Sequence, residues 1–169
     1  MNSPPAPPLH GFEFEQLFDK VEVARHFYAG VYSVDEIPKE IKTRQFVVVN
    51  LSPKSEPGTH WFVISRSDQY LYEIFNSLGF ESVDELAPHL SFDSHADIVF
   101  NGERFQAKTS TSCGYFCVFY AIHRVLNYDM SFHHLLDFFF DHDSAVNEDR
   151  VIKFCQRLKS DNPNLFDEY

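Results

Sequence analysis

The stretch "TSTSCGYFC" (109–117) sets Cys113 ahead of a glycine and of an apolar run, Tyr115 to His123, that reads as the opening of a buried helix. Ser, Thr, Asp or Asn usually stand at such an opening, because their side-chain oxygens accept the unpaired N–H groups of the first turn. A thiol there lies beside those N–H groups and near the positive end of the helix dipole, and both favour a thiolate. Cys113 is therefore expected to have a low pKa and to act as a nucleophile. A free cysteine is otherwise a common core residue. That is the reading for Cys117, one turn later on the inward face, and for Cys155.

A thiol that attacks a carbonyl needs an imidazole to share its proton and later pass it to the leaving amine. His60 opens the strand-like run "HWFVIS" (60–65) just after "PGT", where a side chain can face a cleft. His10, His26, His133 and His134 fall in helical or tail segments and read as surface or packing residues. The adjacent pair His133 and His134 is a weak metal signal, since neighbours on a helix point about 100° apart.

A third group must hold the imidazole in the right tautomer, and a side-chain carbonyl can accept its second N–H. Asn76 closes "YLYEIFN" (70–76), next to the strand that His60 opens, and Glu73 is its rival. Strand alternation puts Tyr72, Ile74 and Asn76 on one face and Leu71, Glu73 and Phe75 on the other, so only one of the two can face His60. By itself Asn76 reads as a turn residue ahead of Ser77 and Gly79. Gln106, in a polar loop seven residues before Cys113, is close enough to curl back. Its amide N–H could join the Cys113 backbone N–H as an oxyanion hole.

Several elements must place these side chains. Residues 1–11 carry four of the nine prolines and read as a flexible tail ahead of one domain over 12–169. Phe14, Leu17, Phe18, Val21, Ala24 and Phe27 or Tyr28 recur at helical spacing, with Gly30 as a stop. "QFVVVNL" (45–51), "HWFVIS" and "YLYEIFN" are β-branched and aromatic runs with turn-like separators, which suggests an antiparallel meander. Ser82 and Glu85 have capping-box spacing and predict a short helix over 82–90. A strand is expected at "ADIVF" (96–100), then a polar loop to residue 112. Three helices should follow: one from Cys113 to about Asn127, one capped by Ser131, and one carrying Val151, Ile152, Phe154, Cys155 and Leu158. The order predicts an α+β domain, a central sheet packed by helices.

The 169 residues suit one core, and 44% of them are hydrophobic. The 14 Lys and Arg stand against 25 Asp and Glu, a net charge of −11. That balance disfavours nucleic acid as a partner. Three cysteines make no disulfide framework, so a reducing compartment is expected. The N-terminus lacks the apolar centre of a signal peptide, and no apolar run reaches the roughly 18 residues of a membrane span. The chain is accordingly expected inside a cell, in nucleus or cytoplasm, or inside a virion.

"GTHWFVI", "YEIFNSLGF" and "QAKTSTSCGYFC" resemble, in order and spacing, the signature of the adenovirus-type cysteine proteases and their relatives, the SUMO and ubiquitin-like-protein proteases. "GVYSVDEIP" (30–38) and "FVVVNLSPKSEPGTHWF" (46–62) are most similar to the adenain-like proteases of Polinton or Maverick elements and related viruses. The resemblance covers about residues 30 to 126. It implies a papain-like mechanism: Cys113 attacks, His60 is acid and base, Asn76 orients it, and Gln106 with the Cys113 N–H binds the oxyanion. Through Trp61, and with Gly114 beside the nucleophile, it implies a narrow channel admitting glycine and cleavage after Gly-Gly or Gly-X-Gly type sites.

The chain departs from that pattern in three ways. Asn76 stands where the group more often has Asp or Glu, which weakens an ion pair. No cysteine lies between Trp61 and Cys113 to tether an activating peptide, and the acidic balance disfavours DNA, so neither cofactor is carried over. The chain is short for an enzyme that grips a folded modifier. An endopeptidase processing precursor proteins of a virus or mobile element is the leading reading, and a protease for a ubiquitin-like modifier is the near rival. An acetyltransferase on the same scaffold would want basic patches, and "HRVLN" and "KFCQRLK" look like solvated helix faces. A monomer is expected, since no exposed apolar stripe stands out.

Overall fold

The computed structural model describes residues 8–92 and 95–161. Residues 1–7 of the expected tail lie outside them, whereas the rest of that tail is packed: Leu9 is buried in the core and Gly11 begins a helix. That helix, α1 (Gly11–Lys20), buries Phe14, Leu17 and Phe18 and ends at Val21, whose backbone is extended. One short turn, α2 (Glu22–Arg25), buries Ala24.

Where the spacing predicts the end of a helix and a stop at Gly30, the chain instead forms a strand, β1 (Tyr28–Ser33). Tyr28 does pack on Phe18 and Phe46, as a helical residue would, but from a strand. Gly30 lies within a register irregularity between Tyr28 and Val31. Its φ of +121° suits glycine, and a Cβ there would stand 2.9 Å from the Tyr32 ring.

The expected meander is present. β2 (Phe46–Asn50), β3 (Trp61–Asp68) and β4 (Leu71–Phe75) pair antiparallel, with Asn50 opposite Trp61 and Ile64 opposite Ile74. β5 (Asp97–Phe100) runs parallel to β4, and β1 runs parallel to β2, so the sheet is mixed and its strands lie in chain order. The period of two divides the strand residues between two cores. Phe46, Val48, Val63 and Phe75 face the helices, while Val47, Val49, Phe62, Ile64, Tyr72 and Ile74 pack with Val34, Ile37, Ile41, Phe80 and Leu86 on the other face. Over 82–90 only a 3-10 turn forms, Ala87–His89. Ser82 Oγ accepts the Asp84 N–H, a local turn, and Pro88 has no N–H with which to continue a helix.

α3 (Cys113–Leu126) is apolar on nearly every side and lies between the sheet and the later helices, the signature of a central buried helix. α4 (Phe132–Phe139) starts where Ser131 Oγ accepts the His134 N–H, and α5 (Ser144–Asp161) follows. Arg124, expected on a solvated face, is buried. Its Nε lies 3.2 Å from Glu73 Oε2, and its Nη2 donates to the Tyr128 carbonyl. Among the described residues no helix is long and apolar enough to cross a membrane.

Candidate active site

His60 lies just before β3 and Asn76 just after β4, and antiparallel pairing brings these two strand ends together. His60 Nε2 stands 2.6 Å from Asn76 Oδ1. The same oxygen accepts the Leu78 N–H at 3.0 Å, and Asn76 Nδ2 donates to the Gly79 carbonyl at 3.2 Å. The amide orientation is thereby fixed, and since a carbonyl only accepts, His60 carries its proton on Nε2. Nδ1 is left as the basic nitrogen. Glu73, the rival for this place, points to the helix side, where Ser65, Tyr120 and Arg124 surround it.

Cys113 is the first residue of α3 and shares a cleft with His60. The backbone N–H groups of Trp61, Gly114 and Cys113 itself lie near enough to its sulfur to favour the thiolate. The low pKa expected from the helix start is nevertheless not found. Burial pushes the thiol above its ordinary value, the nearby Glu148 carboxylate pushes the same way, and the three N–H groups offset only part of this. His60 moves oppositely: burial lowers it and the bond to Asn76 only partly restores it. The dipole argument counts unpaired N–H groups but not desolvation, and desolvation wins. Burial thus disfavours the charged form of both the thiol and the imidazole.

Gln106 is buried and lines the same cleft. Its Oε1 accepts the Ser77 hydroxyl at 2.6 Å, and Nε2 donates one N–H to the Ser110 carbonyl at 2.9 Å. A primary amide nitrogen has two N–H groups, so one remains beyond that bond. The Ser77 carbonyl receives the N–H groups of Phe105 and Gln106, so the turn after Asn76 also seats Gln106.

Trp61 borders the cleft, its Nε1 donating to the Leu9 carbonyl at 3.0 Å and its ring set edge-on to Phe14. Gly114, expected beside the substrate, also has a packing role that the sequence does not show. Its α-carbon faces the core, where a Cβ would stand 2.8 Å from Leu9 Cβ and 3.1 Å from Phe14 Cζ. Glycine is there to let α3 approach the N-terminal segment. The cleft measures about 810 Å³ and is walled by Pro8–Gly11, by the loop from Ser52 to Thr59, and by Leu78, Lys108, Ser110 and Thr111.

Other supporting residues escape a reading of the sequence. Asn101 brackets the Asn76 backbone, accepting its N–H at 2.9 Å and donating to its carbonyl at 2.6 Å. Asn50 Oδ1 accepts the N–H groups of Ser52 and Thr59 and so shapes the loop ahead of His60. A sequence signal exists for these two, since each is an amide at the end of an apolar strand run. Among the described residues no group of three or more His, Cys, Asp or Glu could hold a metal ion.

The arrangement can move a proton from a thiol to an imidazole held from behind by an amide, beside N–H donors able to receive an oxyanion. No family model and no curated protein matches the chain. Its structure is similar to that of the ASFV pS273R protease, with a TM-score of 0.55 and 14% identity over 87% of this chain and 69% of that one. It is also similar to the central domain of the uncharacterized Lpg1148 protein from Legionella pneumophila, with a TM-score of 0.53 and 16% identity over 96% and 100% of the two chains. At these identities the kinship is one of fold, an α+β sheet packed by helices.

Proposed function

We propose that the chain is a thiol endopeptidase of the adenain-like kind, working through Cys113, His60, Asn76 and Gln106. The observation that carries this reading is the 2.6 Å contact of His60 Nε2 with Asn76 Oδ1, which leaves Nδ1 as the basic nitrogen of an imidazole that lines the same cleft as Cys113. The fold shared with a protein described as a protease supports it.

Nδ1 takes the thiol proton as sulfur attacks the substrate carbonyl. The oxyanion is received by the Gln106 amide and the Cys113 N–H, and the imidazolium then protonates the leaving amine. Water, deprotonated by His60, hydrolyses the thioester and frees the enzyme. Asn76 orients the imidazole without adding charge, in keeping with burial that disfavours both charged forms. Trp61 beside the thiol favours glycine next to the scissile bond, and precursor proteins of a virus or mobile element are the substrates this implies. The acidic balance and the lack of a cysteine between Trp61 and Cys113 argue against DNA or a disulfide-tethered peptide as activator.

The test mixes the protein alone with Gly-Gly-containing peptides and with ubiquitin-like modifiers bearing C-terminal fluorophores. Cleavage of peptides, abolished in Cys113→Ser with the fold intact, is the expected result. Cleavage of modifiers only would transfer the site to deconjugation, and turnover retained in Cys113→Ser would sink the assignment.

A further inference from the structure

Helix α5 reaches the site without supplying any of the four residues given a role above. Its first turns carry Asn147 and Glu148. Asn147 is fully buried and donates from Nδ2 to the carbonyls of Phe105 and Asp141. Glu148 accepts the Ala107 N–H on Oε1 at 3.2 Å and the Ser112 hydroxyl on Oε2 at 2.6 Å. Ala107 directly follows Gln106, and Ser112 directly precedes Cys113. One carboxylate therefore ties both ends of the loop that joins the amide donor to the nucleophile. Ser112 is also the residue whose carbonyl receives the Phe116 N–H as α3 begins. Loops are the mobile part of most sites, and this one is held from outside by an acceptor on a long helix.

We propose that Glu148 is a positioning residue of this site, its carboxylate fixing where the Gln106 amide stands relative to the Cys113 thiol. The proposal rests on the roles assigned to those two residues above. The charge of Glu148 has a second consequence, because a carboxylate near a thiol opposes its ionisation. The other titratable groups around Cys113 are His60 ahead of β3, Cys117 one turn along α3, and His10, Glu56 and Lys108 on the cleft walls.

Two substitutions separate geometry from charge. Glu148→Gln keeps an oxygen for the Ala107 N–H, and its NH2 can donate to Ser112 Oγ, which then turns its own proton to Ser110 Oγ 2.6 Å away. Glu148→Ala removes both ties. Asp149→Asn, altering an exposed carboxylate paired with Lys153, controls for net charge. The readouts are kcat/KM on a cleaved peptide and the pH profile of Cys113 alkylation by iodoacetamide, resolved from Cys117 and Cys155 by mass spectrometry.

Glu148→Ala should lower kcat/KM by on the order of tenfold to a hundredfold, and Glu148→Gln should restore most of it. The alkylation profile should move to lower pH in Glu148→Gln and stay put in Asp149→Asn. A folded Glu148→Ala protein with unchanged kcat/KM, or a Gln variant as slow as Ala, overturns the positioning role. If the wild type cleaves no peptide, the proposed function fails on its own. Alkylation then judges Glu148, and a Gln profile identical to wild type overturns its influence on the thiol. If Glu148→Ala does not fold, the Gln and Asn variants decide by the same profile.

Discussion

His60 and Asn76 meet at 2.6 Å although each stands outside the strand that delivers it. Asn76 accepts from the imidazole and from the Leu78 N–H while donating to Gly79, so three contacts define one rotamer. Because the amide only orients, Asn76→Ala should cost roughly 10- to 100-fold in kcat, against a roughly 10³-fold or greater loss for His60→Ala. Equal losses would give Asn76 a larger part. Asn76→Asp sets a carboxylate oxygen against the Gly79 carbonyl but adds negative charge behind the imidazole. It should stay active, with the acid limb of its pH profile moved to higher pH.

The opposite shifts of His60 and Cys113 set the expected pH range. Cleavage needs one proton shared between thiol and imidazole, and that state is lost when His60 gains a proton or Cys113 loses one without passing it on. Burial lowers His60 from its ordinary 6.5 and raises Cys113 from its ordinary 9.0. Both limbs therefore move outward, and kcat/KM should show a broad plateau extending below pH 6.5 and above pH 9.0. A narrow bell centred between those values would mean that the site is far wetter than its geometry.

Gly114→Ala tests the packing of α3 on the N-terminal segment. A methyl group 2.8 Å from Leu9 Cβ must displace Leu9, whose carbonyl holds the Trp61 indole. Overpacking of this kind costs about 1–3 kcal/mol. Denaturant titration should show that loss, and KM should rise as the cleft wall shifts. Unchanged stability with unchanged KM would mean that Leu9 is not part of the wall.

The buried pair of Glu73 and Arg124 gives a prediction far from the chemistry. Both side chains are almost wholly enclosed, at 1% and 6% exposure. Arg124→Met should cost about 3–5 kcal/mol by stranding Glu73, and adding Glu73→Gln should recover part of that. Full additivity in the double-mutant cycle would show that the two charges do not support one another.

Much of the site was legible in the sequence because its parts are local. A helix start, two strand ends and a period of two sufficed to show that only one of Asn76 and Glu73 can face His60; Asn76 was singled out by the resemblance, and it is Asn76 that stands 2.6 Å from the imidazole. What was not legible depends on distant segments. Leu9 meets Trp61 across 52 positions, Glu148 meets Ala107 across 41, and Asn101 meets Asn76 across 25. The thiol pKa was misjudged for the same reason, since the burial of Cys113 depends on contacts that no local pattern encodes. β1 was missed because Phe27 and Tyr28 continue the helical spacing of α1 and α2, although the helix ends at Arg25 and the strand begins at Tyr28.

The burial of Cys113, which pushes its thiol upward, bears on redox durability. Peroxide attacks the thiolate, not the thiol, and needs access to it. Cys117 and Cys155 are also buried, with burial pushing both thiols upward. On the proposed mechanism, a thiol deprotonated only as substrate arrives is spared sulfenic acid formation between turnovers. The burial that withholds a ready-made thiolate is therefore also what should preserve Cys113 in an oxidising medium.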